Sequence, residues 1–422
     1  MSFYLPHNPA YSLMDSVRDS ARFVTARCIS SYAGHACCTS SFVNPQGEVM
    51  HWHDFGDLEG PGWAANAVGG AHELLHLALR DANPALESLA FSLLDHVLDD
   101  GFVEPGTGLI WGYRDVAQER LCHNFKHGVE WLCPGSMAKV GFQLLDSATH
   151  LEPLRASRMW RAARGCLDWI RERVPLLEHG WYPRRCRPDG TPYDQAAEGG
   201  SDPFFGGSAD GLFILLLMAE LAAAGDTQLL RSVSDLCDAF LRSGGIFGSI
   251  NHDTYDAHEN VAYAVAFRTL LRCGRILDRA DITRFAYDVC LQGLDRYKLG
   301  QDRNGVLTQG LLYMEDSWDT CYLWESAEAS VAYLEAYQDR GEEAHLRDAV
   351  TLLRACARHH HGDEGFLTEG VDWNNHVGQQ HHIDGAEFGD IQYTEPLLNN
   401  LHIAEPTLLL YQLLSEEEIA GV

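Results

Sequence analysis

The chain has 422 residues, 46% of them hydrophobic, which is enough to bury a large core. Its 60 acidic and 31 basic residues give a formal net charge of −29, which opposes binding to nucleic acids and anionic membranes. Residues 1–11 lack the basic and apolar parts of a signal peptide, and no run of about 18 apolar residues predicts a membrane span. We therefore expect a soluble cytoplasmic protein whose twelve cysteines are reduced, since no Cys-x-x-Cys pair occurs.

Apolar residues recur at three- and four-residue spacing in twelve segments, which predicts twelve helices. Their approximate spans are 8–29, 61–82, 84–99, 130–150, 154–174, 208–224, 227–243, 256–276, 281–298, 320–339, 343–358 and 395–415. Asn83 followed by Pro84 is typical of a helix start, and Gly225 is typical of the residue that follows a helix.

Every second predicted helix ends in a glycine, which is followed by apolar residues and then by a long polar and aromatic loop. The six glycines are Gly47, Gly101, Gly180, Gly245, Gly305 and Gly365. Glycine suits this position because the end of a helix often needs one residue at positive φ. One helix pair with one loop therefore makes a repeat, and the chain contains six repeats.

Six helical hairpins of this size predict an all-α fold, an (α/α)6 toroid with short β segments in its loops. We expect residues 1–422 to form this single domain. The helices that follow the loops are rich in small residues, as in 62–65, 207–211 and 326–330, and should form the inner ring. An open solenoid has the same periodicity and is the alternative.

In a closed toroid all six loops meet at one end of the ring, because each joins an outer helix to the next inner helix. The loops combine aromatic side chains with carboxylates, arginines and histidines, as sugar-binding sites do. Solvated polar loops are the alternative interpretation. The candidate substrate-binding residues are His53, Trp111, Tyr113, Arg185, His252, Glu259, Trp318, Asp319, Trp324, Glu325, Trp373 and His381.

Three further residues are candidates for catalysis. His258 begins the fourth inner helix and His382 precedes the last one, and an imidazole can exchange protons near neutral pH. Glu328 lies on an inner helix among small residues, where a carboxylate is costly unless it meets a ligand or a partner. The alternatives are a histidine that is hydrogen-bonded to its own turn and a carboxylate in a packing ion pair.

No metal, cofactor or nucleotide site is predicted, because phosphate-loop and dinucleotide motifs are absent. His381 and His382 lie near several carboxylates, but the helical His-x-x-x-His spacing of a metal site is missing. Asp316, Asp319 and Glu395 are carboxylates of the kind that glycoside hydrolases use in pairs.

The pattern resembles the six-hairpin sugar enzymes, and most of all the N-acylglucosamine 2-epimerase and cellobiose 2-epimerase family. His258-Glu259, the segment 324–329 and His382 (or His381) carry this resemblance. It implies that His258 and His382 exchange protons at the carbon next to a sugar carbonyl, with Glu328 contacting the substrate and without a redox cofactor.

The predicted function is therefore that of a sugar epimerase or isomerase acting on a small sugar or an oligosaccharide. The chain is expected to work as a monomer or homodimer, without nucleic acid or membrane partners. A glycoside hydrolase that uses paired carboxylates and a non-catalytic glycan-binding toroid are the alternatives.

Overall fold

The computed structural model describes most of the chain. The described residues are 5–39, 42–50, 57–125, 130–193, 208–248, 250, 256–318, 320–374 and 381–422.

Twelve of the helices in this part of the chain alternate between two concentric layers. The outer helices are α1 (Leu13–Phe23), α3 (Pro84–Asp99), α5 (Pro153–Arg173), α7 (Leu230–Arg242), α9 (Ala280–Phe285) and α11 (Glu343–Ala357). The inner helices are α2 (Ala67–Arg80), α4 (Pro134–Ala148), α6 (Gly211–Ala223), α8 (Asn260–Ile276), α10 (Leu323–Arg340) and α12 (Ala404–Leu413). π-Helical turns extend α1 (Val24–Cys28) and α9 (Ala286–Leu291), and 3₁₀ turns span Thr227–Leu229, Leu294–Tyr297 and Gly362–Glu364. A short helix, α13 (Glu416–Gly421), lies near the end of the chain.

The inner helices form a closed ring. Each contacts the next in chain order, and α12 returns to contact α2. Outer helices pack against inner ones, as α3 does on α2, α5 on α4 and α11 on α10. The predicted (α/α)6 toroid is therefore confirmed, and the open solenoid is wrong.

The ends of the helices agree with the sequence patterns at some places and not at others. Helix α3 spans the predicted residues, and the Asn83 side chain accepts a hydrogen bond from the Leu86 amide at 3.2 Å. Helix α12 begins at Ala404, well after its predicted start at residue 395. Residues 395–403 are buried but form turns, so the apolar periodicity there reports burial and not helix.

The six repeat glycines have the predicted backbone conformation. All have positive φ, from +73° at Gly365 to +101° at Gly245. Gly101 comes two residues after α3, whereas a β-hairpin of residues 29–38 lies between the first outer helix and Gly47. The glycines therefore mark the six segments that join an outer helix to the next inner helix, and only some of them mark a helix end.

Short strands join neighbouring loops, as predicted. The strands are β1 (Ile29–Tyr32), β2 (His35–Cys38), β3 (Leu58–Glu59), β4 (Tyr113–Asp115), β5 (Arg120–Cys122), β6 (Thr320–Tyr322), β7 (His360–His361), β8 (Phe366–Leu367), β9 (Gly370–Asp372) and β10 (Gly389–Asp390). The order β3-β4-β5 links the first two loops, and β10-β9-β6 links the last two. All these pairs are antiparallel, and β1-β2 and β7-β8 form separate two-stranded sheets.

No helix in the described part of the chain combines the length and the apolar composition that crossing a bilayer requires.

Candidate active site

A cavity lies on the axis of the ring and is lined by all six inner helices. It encloses about 730 Å³ of empty space, including the part that opens to solvent. Its lining residues are Trp63, Asn66, Gly69, His72, Glu73, Lys139, Phe142, Gln143, Asp146, Phe213, Leu216, Val261, Val265, Arg268, Trp324, Glu328, His402 and Glu405. This lining mixes aromatic faces with buried charges, a combination that suits a ligand with both C–H faces and hydroxyl groups.

Aromatic rings form one wall of the cavity. The Trp63 ring packs edge-on against Phe213 and Trp324, with both centroid distances at 5.7 Å. Trp324 in turn meets the His402 ring edge-on at 6.0 Å. The sequence prediction that Trp324 faces the site is consistent with this position, whereas Trp63 was not singled out.

A buried arginine organises the carboxylates of the cavity. Arg268, in the third turn of α8, forms ion pairs with Glu328, with Glu335 at 3.3 Å and with Glu405 at 3.3 Å. Burial raises the pKa of Glu328, but the Arg268 charge and the His402 contact outweigh it and hold that pKa well below its usual range. Glu328 is therefore an ionised carboxylate inside the ring.

His402 is the imidazole beside that carboxylate. Its Nε2 atom lies 3.3 Å from Oε2 of Glu328, and the side chain is buried. Burial lowers the pKa of His402, and the Glu328 carboxylate offsets this only in part, which favours a neutral ring. With the proton on Nε2, facing Glu328, the Nδ1 atom carries a lone pair that has no hydrogen-bond partner within the described residues.

Two further titratable groups line the cavity. Lys139, in the second turn of α4, holds its Nζ atom 3.9 Å from the centre of the Trp63 ring. Burial lowers the pKa of Lys139 to about 8. Burial also raises the pKa of Glu73 well above its usual range, which favours the neutral carboxyl group.

Among the predicted catalytic residues, Glu328 lines the cavity and His258 does not. His258 Nδ1 lies 2.7 Å from the Tyr263 hydroxyl, and both rings stack near Phe247. Tyr263 packs directly over Gly293 in the outer layer. His258 is half-buried against Tyr263 and Phe247 and is not among the residues that line the axial cavity. Its neighbour Glu259 is fully buried and accepts a hydrogen bond from the Ile250 amide.

His382, the second predicted catalytic histidine, lies among the loops. His382 Nε2 lies 3.3 Å from Asp372 Oδ2, and the imidazole is buried apart from 6% of its side chain. Asp372 also accepts a hydrogen bond from Thr320. His382 does not line the axial cavity, so the two predicted histidines are not brought together there. His381 is exposed, and its carbonyl oxygen accepts a hydrogen bond from the Gln392 amide at 3.0 Å.

Several predicted binding residues surround a second cavity beside Trp63. Trp111 stacks on His123 with a centroid distance of 3.9 Å, and the Tyr113 hydroxyl accepts a hydrogen bond from the Ala64 amide at 3.2 Å. Trp111, Tyr113 and His123 line this second cavity together with Trp63.

The other predicted aromatic and charged residues have structural contacts. Arg185 lies 4.1 Å above the ring of Trp131, which also lines the second cavity. The Glu325 carboxylate accepts a hydrogen bond from Asn260 Nδ2 at 2.8 Å, which ties α10 to α8. Trp318 and Trp373 are buried in the loop layer. His53, His252 and Asp319 lie outside the described residues.

Asp316 and Glu395, the two described carboxylates that were proposed for a glycoside hydrolase, do not form a pair in the cavity. Asp316 is exposed and makes an ion pair with Arg296. Glu395 is buried and accepts a hydrogen bond from Asn399 Nδ2 at 3.2 Å. Neither of them lines the axial cavity, whereas Glu73, Glu328 and Glu405 do.

One buried group of side chains has the atom types that bind metal ions, and these atoms lie within 4.8 Å of one another. The group consists of Cys37, Glu59 and His96. Arg114 makes an ion pair with Glu59, and His96 Nδ1 lies 2.7 Å from Asp100 Oδ2. The fixed positive charge of Arg114 on the same carboxylate opposes binding of a cation. We therefore interpret this group as an ion-pair cluster that joins β2, β3 and α3.

His402 and Lys139 were missed by the sequence analysis. His402 falls within a segment predicted as helix, although the residue lies just before α12 begins. Lys139 sits in an amphipathic helix, where a charged residue ordinarily indicates the solvent-facing side. An inner helix of a toroid has a second polar surface, which faces the axis. A polar residue in or next to an inner helix could therefore have been predicted to line the axial cavity, as Lys139 and His402 do.

Neither a protein family model nor a curated protein sequence matches this chain. Solved structures do match it. A cellobiose 2-epimerase from Bacillus thermoamylovorans aligns over 94% of this chain and 99% of its own, with a TM-score of 0.62 and 14% identity. A D-mannose isomerase aligns over 95% and 97%, with a TM-score of 0.60 and 12% identity. A family 76 α-mannanase from Bacteroides thetaiotaomicron aligns over 96% and 97%, with a TM-score of 0.61 and 7% identity. At the level of the fold, the predicted resemblance to six-hairpin toroids is confirmed.

Proposed function

We propose that this protein is a carbohydrate-active enzyme, and specifically a sugar epimerase or isomerase that moves a proton at the carbon next to the carbonyl. The contact between His402 and Glu328 in the axial cavity carries this proposal. An ionised carboxylate beside one ring nitrogen holds the imidazole in a single tautomer and leaves the other nitrogen as a base. The cellobiose 2-epimerase and D-mannose isomerase share the fold, which supports the same class of reaction.

In this mechanism the open-chain sugar lies against the Trp63 and Trp324 rings, and His402 accepts the proton from the carbon next to the carbonyl. The electron pair of the C–H bond forms a C=C bond, and the carbonyl π electrons move to oxygen to give an enediolate. Return of a proton to the other face of the same carbon gives the epimer. Return to the former carbonyl carbon, with transfer of a hydroxyl proton, gives the isomer. The electron count is unchanged, so the reaction needs no redox cofactor.

This proposal changes the residues expected from the sequence. Trp324 stays in the proposed sugar-binding site because it lines the cavity, and Glu328 stays in the site with a new role, which is to orient the imidazole of His402. We propose His402 as the base in place of His258 and His382, since those two histidines contact Tyr263 and Asp372 and do not line the axial cavity.

A glycoside hydrolase is the second candidate, and one observation favours it. The pKa of Glu73 is raised and that of Glu328 is lowered in the same cavity. An acid and a carboxylate with separated pKa values are the pair that glycoside hydrolysis uses. The α-mannanase with the same fold supports this alternative.

The test is to incubate the purified protein with aldoses, ketoses and β- and α-linked disaccharides in D₂O, and to follow the products by NMR. We expect a sugar product that carries deuterium at the carbon next to the carbonyl. Release of a new reducing end without deuterium on carbon would contradict the epimerase proposal and support the hydrolase. Binding of sugars without any turnover would leave a glycan-binding protein and contradict both.

A further inference from the structure

We infer that Lys139 is a catalytic residue of the reaction proposed above, in which its ammonium group binds the carbonyl oxygen of the open-chain sugar and stabilises the negative charge that develops there. The inference rests on the proposed function and adds to it a group for the oxyanion.

Lys139 is buried, and no described residue supplies it with a counter-ion. The residue is only 9% exposed and its Nζ atom sits over the Trp63 ring in the axial cavity. Within the described parts of the chain, the ammonium makes no hydrogen bond or ion pair. Burying a charge in this way is costly unless a partner is supplied, and an aromatic face replaces only part of the lost hydration.

Lys298 shows how the same fold buries a lysine that has only a structural role. Its side chain is also 9% exposed, and its Nζ atom lies 4.8 Å from the centre of the Tyr333 ring. In addition, it contacts Asp295 at 2.6 Å and Asp348 at 2.9 Å. Lys139 is at least as buried as a whole residue and has the same type of aromatic contact, but among the described residues it lacks the two carboxylates. The partner missing at Lys139 is therefore a ligand group.

The carboxyl groups that share the cavity with Lys139 have other partners or a raised pKa. Arg268 makes ion pairs with Glu328 and Glu405, and Asp146 lies 3.4 Å from His72 Nε2. Burial raises the pKa of Glu73, which favours its neutral form. The Lys139 ammonium is therefore available to meet a new negative charge. The enediolate oxygen is such a charge, and it appears only as the proton leaves carbon. A fixed cation that meets a charge only in the transition state lowers the barrier to the chemical step.

The proposed step balances without a co-reactant. His402 takes the proton from carbon, the C–H electron pair forms the C=C bond, and the carbonyl π pair moves to oxygen. The Lys139 ammonium donates a hydrogen bond to that oxygen. Reversal of these movements at the other carbon, or at the other face, completes the reaction and restores both residues.

The experiment compares Lys139→Met and Lys139→Arg with Lys298→Met, which removes a lysine of equal burial outside the cavity. Two probes are used by calorimetry: D-arabinonohydroxamate, an anionic planar mimic of a hexose enediolate, and D-mannitol, an uncharged open-chain hexitol. Exchange of the sugar C–H proton with D₂O is measured in parallel. Thermal unfolding checks that each variant is folded.

We expect Lys139→Met to weaken binding of the hydroxamate and to slow exchange by about 10²-fold, as removal of one oxyanion donor does, while mannitol affinity changes little. Lys139→Arg should restore part of both losses, and Lys298→Met should bind both probes like the wild type. Equal hydroxamate affinity in Lys139→Met and wild type, or an equal loss for both probes, would overturn the inference. If the proposed function itself is wrong, the wild-type protein will show no C–H exchange. That result differs from the one that would overturn the role of Lys139.

Discussion

The Nε2 atom of His402 lies 3.3 Å from Oε2 of Glu328, so the turn that leads into the last inner helix, α12, presents an imidazole to a carboxylate on α10. The same carboxylate is paired with Arg268 on α8. The site thus combines a base, a carboxylate that orients it and a cation that keeps the carboxylate ionised. Closure of the ring sets α12 beside α2 as well, which brings Glu73 into the same cavity.

Substitution of His402 by Gln should reduce C–H exchange about 10²- to 10⁴-fold, the range typical for loss of a general base. Glu328→Gln should reduce exchange as well, because the neutral amide no longer favours one tautomer of the imidazole. The rates of deuterium incorporation measure both effects. The same change at His258 tests the assignment made from sequence. If His258→Gln loses exchange and His402→Gln keeps it, the roles proposed here are reversed.

Substitution of Arg268 by Met should destabilise the fold by about 3–5 kcal/mol, because it leaves the buried carboxylate of Glu328 and the half-buried carboxylates of Glu335 and Glu405 near one another without their cation. Urea unfolding at pH 7 measures the loss. The variant should also regain stability as the pH falls, since Glu328 would then take up a proton. Arg231→Met is the control. That side chain is 92% exposed, and its loss should change the free energy of unfolding by no more than about 0.5 kcal/mol.

Two histidines on α2, of which His72 is buried and His76 is half-buried, predict a loss of stability in acid. Burial lowers the pKa of His72 to about 4 and that of His76 to about 3. Both values lie below the unfolded value of about 6.5, so the unfolded chain takes up these protons first. The stability that the neutral rings contribute is present above about pH 6.5 and is lost as the pH falls toward 4 and then 3.

The test is the pH dependence of the free energy of unfolding between pH 7 and 4. His76→Gln should flatten this dependence by an amount on the order of a few kcal/mol. His179→Gln removes an exposed histidine and should leave the curve unchanged. Identical curves for wild type and His76→Gln would show that the ring of His76 stays accessible to protons in the folded state.

The ring itself was predictable from sequence because its signals are local. A residue at positive φ is often glycine, so Gly101 and Gly365, which recur once in each repeat, indicated the repeat without any knowledge of contacts. The apolar periodicity of an amphipathic helix likewise depends only on the helix itself, and it located α3 and α11 closely.

The direction of individual side chains was not predictable, and His258 shows why. Val261, Val265 and Arg268 face the axis at helical spacing, whereas Tyr263 lies between them and faces the outer layer. His258 precedes the N-terminal cap of α8, so the helical phase cannot be extended to it. Its direction depends on the loop backbone, and consecutive residues of a helix already differ by about 100°.

Close packing of two inner helices gives a further prediction. A Cβ atom on Gly135, in the first turn of α4, would lie 2.2 Å from the Asp210 carbonyl oxygen that precedes α6. Gly135→Ala should therefore cost about 1–3 kcal/mol of unfolding free energy, although alanine itself favours helix. Gly421→Ala is the control, since Gly421 lies in helix α13 with nothing within 4 Å of the added Cβ. A Gly135→Ala protein as stable as the control would contradict close contact between α4 and α6.

The position of Trp63 predicts that its replacement weakens sugar binding through a lost contact and not through a loss of stability. Its ring packs on Trp324 and Phe213 and also lies under the Lys139 ammonium. Trp63→Leu should raise KM about tenfold, because the flat face that meets the sugar is lost. The substitution should also lower the pKa of Lys139 further, because the ring quadrupole that stabilises the cation is removed. As a result, kcat should begin to fall at a lower pH.

Trp160→Leu is the control, because it removes a partly buried ring from the outer helix α5. It should lower the melting temperature and leave KM unchanged. An equal rise of KM in both variants would mean that Trp63 acts through general stability and not through contact with the sugar.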